Sequence, residues 1–328
     1  MAGINYKQIC TQLLSPLAAK QREVIERRFG LKTGKRETLE AIGKTHKICR
    51  ERVRQIEKAA FVKMKKSASL CREPARVFAK YLKNSGGARE ESAFLRQAGG
   101  KDFSPHVYFL MIFCGDFIRV KESDDTLAFW AQDKQSVEAV KTFIAAAAER
   151  LEESKKLASS RGLSAILGLK KAVAESYLEV SKRVQKNKDG LYGLREWPEV
   201  NPKGIKDKIY LLLKESKNPL HFSDVARGIE GSLVQTVHNE LIRDPRFVLI
   251  GRGLYALKDW GYVAGDVKDV ILNIFGNEGR PLSKQEILDR VMRQRHIKEN
   301  TVLMNLGNKN YFSRGEDGLY RRADVQEA

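Results

Sequence analysis

The side chains with the most specific chemistry in this sequence lie close together, in the run Ile48-Cys49-Arg50-Glu51-Arg52-Val53-Arg54-Gln55-Ile56-Glu57. Placed on a helix at ~100° per residue, Cys49, Val53, Ile56, Ala60 and Met64 fall on one stripe, the expected core side. Glu51, Arg54, Gln55 and Lys58 fall on the opposite face, with Arg50 on its shoulder. Arginine can donate two hydrogen bonds to guanine O6 and N7, glutamate can accept from the cytosine amino group, and glutamine can pair with adenine. A good two-pronged contact of this kind discriminates between bases by ~1–3 kcal/mol. Arg50, Glu51, Arg54 and Gln55 are therefore candidate base readers. Lys32, Lys35, Arg36, Lys44, Lys47, Arg52 and Lys58 surround them and are candidates to hold phosphates, which gives affinity without sequence preference. An exposed amphipathic helix with merely solvated charges has the same spacing, and spacing alone leaves that alternative open.

Such side chains need elements to aim them. Ser15-Pro16 reads as a helix start, a hydroxyl cap followed by proline at the first helical position. Leu17, Val24, Ile25 and Phe29 follow at helical spacing, and Gly30 ends the segment. After a basic loop, Thr38 is a suitable N-cap for a short helix ending near Lys44, and a longer helix is expected from about Cys49. Two helices joined by so short a turn make a helix-turn-helix.

The charge agrees with this. The 328 residues carry a formal charge of +19, which attracts polyanions, nucleic acid above all. Residues 1–72 hold ten Lys and eight Arg against six Glu, most of the whole excess, whereas residues 203–262 hold ten basic and seven acidic side chains. The 42% hydrophobic content is enough for packed cores. Cys10, Cys49, Cys71 and Cys114 are scattered without metal-ligand spacing, so free thiols in a reducing cytoplasm and no structural metal are expected. No apolar run is long enough for a membrane span, and the start MAGINYKQIC lacks the pattern of a signal peptide.

Leu14-Ser15-Pro16, Arg22-Glu23-Val24-Ile25, Arg28-Phe29-Gly30-Leu31, Thr38-Leu39-Glu40-Ala41-Ile42-Gly43 and the run from Arg50 to Ala59 together resemble region 4 of the sigma-70 family of RNA polymerase initiation factors. The resemblance extends from about Leu13 to Lys66. It implies a module that reads a −35-type promoter element in double-stranded DNA, with Arg50, Glu51, Arg54 and Gln55 at the base-contacting positions, and that docks on the polymerase core. This sequence departs from the family pattern at Cys49, where Thr or Ser usually caps the helix, and at Lys47, a turn position often held by Gly or Asp. Nothing resembling sigma region 2, the module that melts DNA, is found along the chain.

The rest of the sequence reads as small winged-helix units. Helices near 75–84, 90–97 and 104–114 precede two apolar strands, Phe117 to Val120 and Thr126 to Trp130, in winged-helix order. Residues 135–187 read as almost wholly helical with a break at Arg161-Gly162, and 189–203 as a linker. An internal repeat follows: Asn218-Pro219-Leu220, Thr236-Val237 and Gly253-Leu254-Tyr255 match Arg280-Pro281-Leu282, Thr301-Val302 and Gly318-Leu319-Tyr320. Ser283 and Glu286 form a candidate capping box. Through Pro219 to Phe222, Thr236 to Leu241, Asp244 to Phe247 and Gly251 to Leu257, the first copy is similar to HARE-type helix-turn-helix domains. That family resembles a domain of the bacterial polymerase delta subunit and recurs in chromatin and DNA-modification proteins.

The expected architecture is thus mainly α: a helix-turn-helix over 1–72, a degenerate winged-helix-like unit over 73–134, a helical connector and linker over 135–200, a HARE-type winged helix over 201–261 and a second C-terminal one over 262–328. Arg252 is a candidate wing contact to phosphate or the minor groove. His221 and His238 read as packed or surface histidines, and Gly43-Lys44-Thr45 lacks the spacing of a phosphate loop. No nucleophile, acid–base pair or acidic metal cluster can be picked out, so no enzyme, cofactor, small-molecule substrate or membrane partner is expected. Three functional readings remain: a bacterial, nucleoid-associated transcription factor acting in initiation; a polymerase-binding accessory protein that does not read DNA; and the DNA-targeting module of a restriction or modification system.

Overall fold

The computed structural model describes residues 4–100 and 102–323. They fall into two units, the first ending at Arg195 and the second beginning at Glu196. No described helix is long and apolar enough to cross a membrane.

The first unit opens with α1 (Tyr6–Leu14), α2 (Ala19–Phe29), α3 (Leu39–His46) and α4 (Arg50–Met64). Gly30, in the left-handed region, ends α2, and the Thr38 hydroxyl caps α3 by accepting from the Ala41 N–H at 3.1 Å, both as the sequence suggests. Ser15 does not start α2. Its backbone is helical and its hydroxyl donates to Gln12 O, so it closes α1, and Pro16, which has no N–H, sits in the turn that follows.

A 3₁₀ segment (Lys65–Cys71) leads to α5 (Arg72–Asn84), β1 (Ala88–Glu90), α6 (Glu91–Gly99), α7 (Ser104–Cys114), β2 (Ile118–Val120) and β3 (Phe129–Ala131). The antiparallel sheet runs β1-β3-β2, with Ala131 opposite both Ala88 and Ile118. Helix, strand, two helices and two strands, with the first strand beside the last, is the winged-helix order expected here. α7 is apolar on nearly every face, and such a helix must be covered all round. α5 and α6 cover one side; α1, α2 and the 3₁₀ segment cover the other. Phe29, Phe61, Phe109 and Phe113 interlock there, with ring centroids 5.1 Å apart for Phe29 and Phe109 and 5.5 Å for Phe61 and Phe113. One apolar core therefore runs from Tyr6 to Trp130. It also brings Cys71 and Cys114 together, and they form a disulfide, Cα to Cα 5.0 Å, where the sequence suggested free thiols.

Residues 134–194 differ from the expected helical connector. α8 (Lys134–Ser154) ends at a left-handed Lys155, several residues before the expected break. α9 (Ser160–Ser164) and a 3₁₀ turn (Ala165–Leu167), α10 (Lys171–Leu178), β4 (Val184–Lys186) and β5 (Tyr192–Leu194) follow. β4 and β5 pair antiparallel, and Ala158 bridges to Tyr192 on β5. The order matches the preceding winged helix, with the first strand reduced to one residue. β5 occupies the segment expected to be a linker. α10 packs against β1; its Ser176 and Tyr177 hydroxyls donate to Ala88 O and Gly86 O.

The second unit contains α11 (Ile205–Ser216), β6 (Leu220–His221), α12 (Phe222–Gly228), α13 (Val234–Arg243), β7 (Phe247–Gly251) and β8 (Leu254–Leu257), its sheet ordered β6-β8-β7. α14 (Val267–Glu278), α15 (Lys284–Gln294), α16 (Glu299–Leu306), β9 (Phe312–Arg314) and β10 (Tyr320–Arg322) repeat the pattern, with Leu282 bridging to Tyr320. The internal repeat is a repeat of fold. In all four winged-helix units described, the residue before the second helix (Glu90, Ser159, His221, Ser283) caps that helix with its side chain. Arg295, only 4% exposed, joins the last two by donating to Leu249 O, to Val263 O at 2.8 Å and to Gly265 O at 2.7 Å.

Candidate nucleic-acid interface

The helix-turn-helix is set by three buried side chains, Val24, Ile42 and Val53, with Leu39, Ile48 and Ile56 packed around them. The turn between α3 and α4 is tight. Lys47 takes the left-handed conformation (φ 52°) and the Ile48 N–H returns to Gly43 O at 3.0 Å. A Cβ on Gly43 would lie 2.6 Å from Ile48 O, so no other residue lets α3 and the turn approach so closely. Cys49 precedes α4 without a capping hydrogen bond, and it is exposed, outside the buried stripe where helical spacing put it.

Polar contacts brace the same assembly. Arg27 donates to both Glu37 carboxylate oxygens, at 2.9 and 2.7 Å, and to the Thr45 hydroxyl at 3.0 Å. The Arg27 guanidinium accordingly holds the Glu37 carboxyl below its ordinary range. Arg28 reaches Glu37 O at 2.9 Å and Glu57 at 3.7 Å. Burial raises the Glu57 carboxyl, against the opposing pull of Arg28. This brace joins α2, the basic loop, α3 and α4, and the sequence pattern did not reveal it, because its partners are 9 to 29 residues apart with no periodic signal.

The outward face of α4 presents Arg50, Glu51, Arg52, Gln55 and Lys58 exposed and Arg54 partly so. The four candidate base readers thus lie on the first two turns, at the end of a second helix that enters the major groove in helix-turn-helix proteins. Two pairs are already engaged with each other: Arg54 with both Glu51 carboxylate oxygens, and Arg52 Nη1 with Gln55 Oε1 at 3.0 Å. The Arg54 hydrogen bonds lower the Glu51 carboxyl, so it is held ionised.

The candidate phosphate holders divide into two groups. Lys35, Lys47, Arg52 and Lys58 are exposed with no carboxylate within salt-bridge distance among the described residues. Lys32 pairs with Glu26 at 2.7 Å and Lys44 with Glu40 at 3.1 Å. Arg36 turns to α7, its guanidinium 4.1 Å from the Tyr108 ring centre and 3.9 Å from Glu91. In the second unit, Arg252 is exposed at the tip of the β7–β8 turn. His221 and His238 pack around Phe222, and His238 also meets Tyr255 edge-on.

Residues 13–66 match the family model of sigma-70, region 4. The chain is 42% identical over 59 residues to the RNA polymerase sigma factor sigB of Arabidopsis thaliana, covering 18% of this chain and 10% of that protein. It is 41% identical over 56 residues to the RNA polymerase principal sigma factor HrdD of Streptomyces coelicolor, covering 17% of each, and 43% identical over 53 residues to the RNA polymerase sigma factor SigA1 of Synechococcus elongatus, covering 16% of this chain and 13% of that protein. The match spans no more than about a sixth of the length of these curated relatives. The matched segment ends at the last turn of α4 and the residues just after it.

Proposed function

We propose that this chain is a sequence-specific DNA-binding protein of bacterial transcription initiation, whose region 4 segment reads a −35-type promoter element. Arg50, Glu51, Arg54 and Gln55 contact base edges, and Lys35, Lys47, Arg52 and Lys58 hold the flanking phosphates. The observation that carries this is the exposed set of hydrogen-bonding side chains on the first two turns of α4, on a helix fixed by the α3–α4 turn. The family match over residues 13–66 supports the same role and favours core RNA polymerase as the protein partner. The winged helices fit an accessory role in initiation, consistent with the HARE-type likeness of residues 201–261, and a cytoplasmic, nucleoid-associated location follows from this reading.

The test is the Arg54→Ala variant on a promoter fragment and on scrambled DNA of equal length. Discrimination between the two falls by about 1–3 kcal/mol, the worth of one two-pronged base contact. Unaltered discrimination in a folded variant rejects base reading by α4. The mutual pairing of Arg54 with Glu51 and Arg52 with Gln55 favours one second reading, a polymerase-bound module that leaves DNA unread. Capture of core polymerase with no retardation of free promoter fragments selects that reading.

A further inference from the structure

The region 4 match ends at residue 66, and the helix that follows has an uncompensated charge. α5 carries Arg72, Arg76, Lys80 and Lys83, all exposed. At ~100° per residue these four lie within an arc of about 80°, a single stripe along the helix. The opposite side holds Pro74, Phe78 and Leu82, buried in the core shared with α7. That apolar anchoring fixes which way the basic stripe points.

Some basic residues on other surface helices are paired, whereas others, Arg52 and Lys58 on α4 among them, are not. On α8, Lys141 meets Glu138 and Arg150 meets Glu153; on α15, Arg290 meets Glu286 and also Glu278. Among the described residues no carboxylate lies within salt-bridge distance of Arg72, Arg76, Lys80 or Lys83, and the only acidic residue of α5 is Glu73 in its first turn. Like charges one turn apart on a helix repel, so an unpaired stripe weakens the helix. A bound polyanion reverses that cost.

We infer that α5 is a second DNA contact, a phosphate rail that extends the footprint of the region 4 segment without reading bases. The stripe from Arg72 to Lys83 is about 16 Å long at 1.5 Å per residue. One DNA strand winds through about half a turn over that axial length, so the straight stripe follows it for about two to four phosphates. No Asn, Gln, Ser or Thr interrupts the stripe, and a row of cations alone suits phosphates. Lys63, Lys65 and Lys66, all exposed, carry the positive surface from the end of α4 to the start of α5.

The rail rests on the chain being a DNA binder, but its test separates from that of base reading. In the full-length protein, Arg72→Gln, Arg76→Gln, Lys80→Gln and Lys83→Gln are combined, and affinity is measured against salt on promoter and scrambled duplexes. Each phosphate contact contributes a slope of about −0.9 in log K against log salt, so the combined variant is shallower by about 2 to 4. It loses the same factor on both duplexes, and the ratio between them holds. A slope equal to that of the unaltered protein overturns the rail, whatever the Arg54→Ala variant does. Unaltered DNA binding with loss of core-polymerase capture also overturns it, and assigns the stripe to an acidic protein surface. If the unaltered protein retards neither duplex, rail and base reading both fall. Circular dichroism confirms the fold; should the combined variant unfold, Arg76→Gln with Lys80→Gln gives half the slope change and decides the same question.

Discussion

Glu51 and Arg54 lie one turn apart on α4, the guanidinium donating to Glu51 Oε2 at 2.7 Å through Nε–H and to Oε1 through its second amino group. Both side chains are largely exposed, so the pair adds little to stability. Its consequence is geometric. The carboxylate orients the planar guanidinium and leaves its remaining amino group directed elsewhere, so on the proposed reading the two residues would meet DNA as a unit.

A double-mutant cycle on promoter discrimination measures that unit. Glu51→Ala and Arg54→Ala each lower discrimination, and the double variant loses less than the sum by about 0.5 kcal/mol or more, as coupled neighbours do. Strict additivity means the two side chains act independently on DNA. Because Arg54 lowers the Glu51 carboxyl, the coupling is constant through neutral pH and weakens only where Glu51 takes up a proton, below its ordinary 4.5.

Cys49 gives a prediction of the opposite sign. It occupies the cap position of α4 with extended backbone and no side-chain hydrogen bond, so the first N–H groups of the helix lack a side-chain acceptor there. Serine at this position accepts from the N–H of Glu51 or Arg52, and a restored cap adds about 1 kcal/mol. Cys49→Ser is expected to raise the thermal midpoint of the first unit and to remove the one exposed free thiol, because Cys10 is buried and its thiol is pushed up to about 12. Iodoacetamide labelling of the native protein therefore falls to background in this variant. Labelling that persists means Cys10 or the Cys71–Cys114 bond opens under native conditions.

How much of this was legible in the sequence depends on the length of the signal. Helices α3 and α4, the Thr38 cap, the poor Cys49 cap and the capping box of Ser283 with Glu286 were all readable, because each needs only residues within one or two turns. The winged helix of residues 134–194 was not. Its first strand is the single residue Ala158, its last two strands are three residues each, and α8 dominates the local periodicity. The placement of Arg36 over Tyr108 was equally hidden, since it depends on α7 being drawn against α2 by the shared aromatic core. Charge alone marks Arg36 as a phosphate holder like its neighbours; only the fold shows that it lies over Tyr108.

Glu286 ties the last winged helix to pH. Its Oε2 accepts from the Ser283 N–H at 2.8 Å and its Oε1 from Arg280 at 2.8 Å, while the Ser283 hydroxyl caps the Glu286 N–H at 3.2 Å. The backbone bond from Ser283, helped by Arg280, lowers the carboxyl to about 2 from its ordinary 4.5. A depressed folded-state value stabilises the folded form above 4.5, and the contribution is lost as pH falls from 4.5 towards about 2. Hydrogen exchange of the first-turn amides of α15 reads this directly. At neutral pH those amides exchange faster in Glu286→Gln than in the unaltered protein, and the difference shrinks over that acid window and vanishes below it. A gap between them that persists unchanged at pH 2 would show that the carboxylate charge is not what holds the cap, because by then half of the Glu286 side chains have taken up a proton and Gln mimics the protonated form.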